Sequence, residues 1–170
     1  RRKILSRRAL EALKELDAEA AARWVEDAEL EPEYALEVLN KAASSAKERR
    51  DLGTAGVFMA RAAGFAYGEE RGMLALEGSV LLEGSSVAES LRLAKLAVQE
   101  LPGHLAAILL LAGKLVAQSR RVADAEPLLA PLPEAVQHGP EANKARLGFH
   151  VVCGDFRGAL EVWEKVWGDG

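Results

Sequence analysis

Small residues recur through this 170-residue chain at one interval. Ala20, Ala55, Ser90, Ala125 and Ala159 follow one another at 35, 35, 35 and 34 residues. Four positions after each stand Trp24, Met59, Ala94, Leu129 and Trp163. A second series, Ala43, Gly78, Gly113 and Gly148, steps by 35 each time. Two independent series with one period constrain the fold more than any other feature. Self-similarity at this spacing marks supersecondary units that stack, because one unit cannot bury its apolar face alone.

Helix breakers fall between the two series. Gly84-Ser85-Ser86, Ser119-Arg120-Arg121 and Gly154-Asp155 lie where a first helix turns into a second. Pro32, Gly68 with Gly72, Pro102-Gly103 and Gly139-Pro140 lie where one unit hands over to the next. Each unit therefore reads as two helices of roughly 12–15 residues, about 20 Å long at 1.5 Å per residue. The small residue lets two backbones approach, and the large residue one turn on fills the gap to the next hairpin. Pro127, Pro131 and Pro133 break this rhythm, so the second helix of the fourth unit is expected to be short or bent near Ala130.

Composition agrees with an all-α chain. Nearly half the residues are apolar, which supports a core, and aromatics are only 5%. Ala and Leu dominate, and Val and Ile never form the alternating runs of a half-buried strand. The net charge of −4, with both signs interspersed, argues against a phosphate-backbone binder. A single cysteine, Cys153, excludes an intrachain disulfide and any multi-cysteine metal site; it reads as a buried, inert thiol. The longest apolar run, Leu105 to Leu111, is too short to span a membrane, and no secretory signal is visible, so a cytoplasmic location is expected. The chain begins with Arg rather than Met and is expected to be part of a longer one.

Leu74-x2-Glu77-Gly78-x2-Leu81, then Ser90-x3-Ala94 and Pro102, resembles the tetratricopeptide repeat (TPR) pattern W-x2-L-G-x2-Y, A-x3-F, P. Leu109-x2-Ala112-Gly113-x2-Val116 and Leu147-Gly148-x2-Val151 keep the glycine of the first helix. In the first unit Ile4, Arg7, Arg8 and Glu11 depart from the pattern, while Ala20, Trp24 and Pro32 fit its second half. The resemblance covers nearly the whole chain. It implies a right-handed α-solenoid of about five helix-turn-helix hairpins, a single array with units near 1–35, 36–70, 71–105, 106–140 and 141–170.

The resemblance also implies an inner groove lined by the first helix of each unit. Taking the second series as register gives Asn40, Ser44 and Lys47; Ala75, Ser79 and Leu82; Leu110, Lys114 and Ala117; Ala145, Phe149 and Val152. A bound segment is expected to set acidic or hydrogen-bonding groups near Asn40, Lys47 and Lys114. Its apolar side chains would lie near Leu82, Leu110 and Phe149. The competing reading is that Leu110, Phe149 and Val152 pack within the array. The Lys/Asn clamp by which chaperone-binding members hold a C-terminal carboxylate is not reproduced, which disfavours that partner class.

Catalysis has little support. His104, His138 and His150 fall in different units and read as surface or packing residues, without a partner at metal-ligand or acid–base spacing. No phosphate-loop, nucleophile-elbow or HExxH pattern is present. No cofactor or metal is expected. Arg1, Arg2, Lys3, Arg7 and Arg8 make a basic start, and Glu26, Asp27, Glu29, Glu31, Glu33 and Glu37 an acidic stretch; such runs are usually solvated faces. At the other end Val162, Trp163, Val166 and Trp167 lack a following helix to cover them, which makes Trp163, Val166 and Trp167 a candidate terminal docking set. The expected function is a non-enzymatic scaffold that binds a protein or peptide in its groove or at this end. Two rivals stand beside it. One is an RNA-binding array like the pentatricopeptide repeats, disfavoured by the acidic charge and the few Lys and Arg on the stripe. The other is self-assembly through the terminal hairpin.

Overall fold

Most helices begin at a capping side chain or a proline, while those that start at Gly68 and Val87 have neither. A computed structural model describes residues 11–14, 17–25 and 30–168. Ile4, Arg7, Arg8, the basic start, and Glu26, Asp27 and Glu29 lie outside the described residues. Among those described the chain is all-helical, with no strand. It divides into two compact units, Arg1–Leu101 and Pro102–Gly170.

In the first unit residues 11–14 are helical, followed by α1 (Ala18–Arg23), α2 (Pro32–Glu48), α3 (Leu52–Ala62), α4 (Gly68–Leu81) and α5 (Val87–Glu100). Each of α1 to α4 packs on the next in sequence. Pro32 opens α2 in its first turn, where a missing N–H costs nothing. The buried positions of α2 (Ala35, Val38, Leu39, Ala42, Ala43 and Ala46) recur as one helical stripe. The Asp51 side chain accepts a 3.1 Å hydrogen bond from the Thr54 amide and caps α3. Gly68, at a φ of +56°, supplies the turn into α4.

Gly72 is not the second half of that turn. It lies inside α4, buried, where an added Cβ would come within 2.4 Å of the Leu101 side chain. A Cβ at Gly56 would likewise meet Leu82 at 2.6 Å. These two glycines are needed for close approach, and they draw the leucines into the core. Between α4 and α5 two serines exchange bonds: Ser79 Oγ donates to the Ser90 carbonyl at 2.7 Å, and Ser90 Oγ to the Ser79 carbonyl at 2.6 Å. Both are buried, so each hydroxyl is satisfied only by the neighbouring helix.

The second unit consists of α6 (Leu105–Ser119), a 3₁₀ turn (Val122–Asp124), α7 (Glu126–Leu129), α8 (Glu134–Gln137), α9 (Pro140–Cys153) and α10 (Phe156–Trp167). The prolines act as expected: Pro127 sits in the first turn of α7, which ends just before Ala130. Gln137 donates to the carbonyls of Ala130 (3.0 Å) and Leu132 (2.6 Å), groups that an unbroken helix would have satisfied itself. With that helix broken, α6 packs on α9 directly. Ala112, Val116, Ala125 and Phe149 form its core, with Val122, Leu128, Ala145 and Cys153 against it. Cys153 is thus half-buried rather than enclosed. Gly154, at a φ of +75°, ends α9, and Asp155 caps α10 through the Gly158 amide at 3.0 Å.

The residues expected to fill gaps between hairpins divide. Met59 and Leu129 are buried, but Trp24 is 58% exposed and Trp163 49%. For Trp24 the reason is local: α1 stops at Arg23, so the indole falls at the cap beyond the last turn.

Candidate partner-binding surfaces

The stripe read as a groove does not form an open surface along its length. On α2, Asn40 is half-buried with Oδ1 buried and unpaired, Ser44 is exposed, and Lys47 forms an ion pair with Glu77 of α4. On and after α4 the stripe is covered. Ala75 and Ser79 have no exposed surface and Leu82 almost none, held there by Gly56 and by the serine exchange with α5. In the second unit Leu110 and Lys114 are half-buried and Ala117 is exposed. Ala145 leans on the core, and Phe149 belongs to it, 3.6 Å from where a Cβ on Gly113 would stand. Leu82 and Phe149 therefore cannot offer side chains to a ligand, while Val152 is exposed.

Ser44 opens instead into a cleft of about 610 Å³ in the first unit. Lys41, Ser44, Ser45, Glu48 and Arg49 of α2 line one side, and Lys14, Asp17, Ala18 and Glu19 the other. Three cationic and three anionic side chains face it, and several are mutually satisfied. Arg49 pairs with Glu19, and Lys14 binds Glu37 at 2.6 Å while lying 5.2 Å over the Tyr34 ring. Among the described residues the lining charges balance, three of each sign. Lys47 is matched by Glu77.

The apolar surface lies on α10. Phe156, Leu160, Trp163 and Trp167 are 70, 53, 49 and 42% exposed. Their spacing of four, three and four residues sets them on one side of the helix. Ala159, buried, with Val162 and Val166, half-buried, forms a second stripe, and α10 packs on α9. Val166 is thus less available than the two tryptophans named with it, whereas Phe156 and Leu160 extend the surface by two side chains. The sequence carried the signal, a heptad-like spacing; following Trp163 backwards by three and seven residues would have found it. Exposed apolar residues elsewhere include Leu52, Val57, Tyr67, Met73, Val80 and Val87.

His150 is not isolated. Its Nδ1 lies 2.8 Å from Asp155 Oδ2 across the turn joining α9 to α10. The Gly158 amide, then the His150 hydrogen bond, holds the Asp155 carboxyl below its ordinary range. Asp51 is held low in the same way by Thr54, through its side chain and its amide. Both oxygens of Asp155 are thus occupied in tying helices together. His104 Nδ1 accepts from the Ala107 amide at 3.4 Å and caps α6, and His138 is exposed after α8. Among the described residues no three His, Cys, Asp or Glu side chains are grouped to hold a metal ion, and no helix is long and apolar enough to cross a membrane.

In comparison with known proteins, no family model, no curated protein and no solved structure matches the chain.

Proposed function

We propose that this chain is a degenerate TPR-like repeat protein that acts, without catalysis, as a protein-binding scaffold. The recurrence supports the repeat reading. Ala55, Ser90, Ala125 and Ala159, one period apart, are all buried, and in the first unit helices adjacent in sequence pack together. The observation that carries the binding reading is the apolar side of α10, four large side chains in a row with water over about half of each. A contiguous patch of this kind marks an interaction site more often than scattered hydrophobes do. It takes apolar side chains, not phosphates, which favours a protein over RNA.

The test is a photoreactive phenylalanine derivative placed at Trp163, at Ser44 in the polar cleft, or at exposed Glu141 as a control, with irradiation in cells. Protein adducts at position 163 exceeding those at 141 are the expected result. Adducts made of RNA, or none above the control at either site, would overturn the reading.

A further inference from the structure

The exposed side of α10 has the spacing and the flanking charges of a helix that pairs with itself. Phe156, Leu160, Trp163 and Trp167 occupy the two seam positions of a heptad. One flank of that seam carries Ala159 and Val166, a buried and a half-buried residue. The other carries Arg157 and Glu164, seven residues apart and both exposed. Arg157 lies 3.2 Å from Glu161 on its own helix, and its side chain remains 91% exposed.

Two such helices laid antiparallel about a two-fold axis bring Leu160 against Trp163 of the second copy, and Phe156 against its Trp167. In that register each Arg157 reaches Glu164 of the other copy, and the pair occurs twice by symmetry. A parallel arrangement faces each charged flank with the small apolar one, so neither charge finds a complement. Flanking charges of this kind set partner and orientation in paired helices.

We propose that α10 is the surface through which two copies of this chain associate, antiparallel, with Arg157 and Glu164 selecting the register. This rests on the protein-binding reading above and names its partner. With about 150–250 Å² available per aromatic side chain, the half-exposed seam offers on the order of 400–500 Å² per copy. The pair then buries roughly 1,000 Å², at the lower limit of a specific interface, so the dimer is weak and dilution separates it.

Sedimentation velocity on the 170-residue chain tests this. Raising the concentration through the micromolar range should move the boundary from monomer to dimer. Arg157→Glu alone and Glu164→Arg alone should each weaken association roughly tenfold or more, because like charges then meet at both pairs. An equimolar mixture of the two variants should associate again, since every mismatch becomes a match. A folding defect is not repaired by mixing. A monomer at every concentration, a dimer indifferent to both changes, or a mixture that stays apart would each overturn the proposal. If position 163 then crosslinks to a different protein, the scaffold reading survives and only the partner is wrong.

Discussion

The α4–α5 hairpin of the first unit and the α9–α10 hairpin of the second share a signature: Gly78 with Ser90 in one, Gly148 with Ala159 in the other. Their surroundings differ. A Cβ on Gly78 would lie 3.2 Å from Leu93 of α5 and 3.2 Å from Met59 of α3, so α4 is gripped from two sides. Around Gly148 nothing lies within 4 Å. On α5 Ser90, Leu93, Ala94 and Ala97 are buried, whereas α10 buries only Ala159. The comparison teaches that a small residue permits close packing without enforcing it. Each hairpin has an earlier helix against its first helix, α3 on α4 and α6 on α9. What differs is how closely the helices approach, and the looser hairpin leaves large side chains of α10 in water.

The largest test of this contrast is truncation of a leucine in each hairpin. Leu93→Ala should cost about 2–5 kcal/mol, because it empties an enclosed site. Leu160→Ala, at a half-exposed position, should cost less than about 1 kcal/mol in dilute protein. Urea unfolding measures both, and equal losses would break the comparison.

A sharper test makes one substitution at two glycines. Gly72→Ala drives a methyl group into Leu101, and overpacking of about 1–3 kcal/mol should outweigh the gain in helix propensity. Gly148→Ala meets nothing, and the propensity gain of about 0.5–1 kcal/mol should appear as added stability. The Tm should fall in the first variant and rise in the second. A rise in both would mean that α4 is held no more tightly than α9.

The smallest effect concerns the aspartate caps, which the two units share. Asp51 and Asp155 are held below their ordinary value of 3.8, so their contribution is complete above that pH and fades as acid passes through the lower folded value. The amide shifts of Thr54 and Gly158 should therefore titrate with midpoints below 3.8. In Asp155→Asn the Gly158 titration should vanish while the cap persists, since Asn also caps. A midpoint at 3.8 or above would show the cap to be open in solution.

Much of this architecture was legible beforehand, and the reasons can be traced to particular residues. Pro127, Pro131 and Pro133 foretold the break near Ala130, and Gly154-Asp155 the turn into α10, because breakers and caps act over a few residues. The candidate site was less legible. Ser79 and Leu82 share a face with Ala75, as the register required, but a shared face does not say whether the face is covered. Only the close approach at Gly56, and the exchange between Ser79 and Ser90, put them inside. Trp24 was misplaced for the opposite reason: its helix ends one residue too soon to carry it into a core.

By itself the order of residues determined that this chain makes helices, where several of them turn and which side chains share a side, since hydrogen-bond periodicity and steric limits on the backbone are local. Only the tertiary structure decided which of those sides are shut and which meet water. That outcome depends on distances between helices, where a single glycine shifts the balance between packing and solvation.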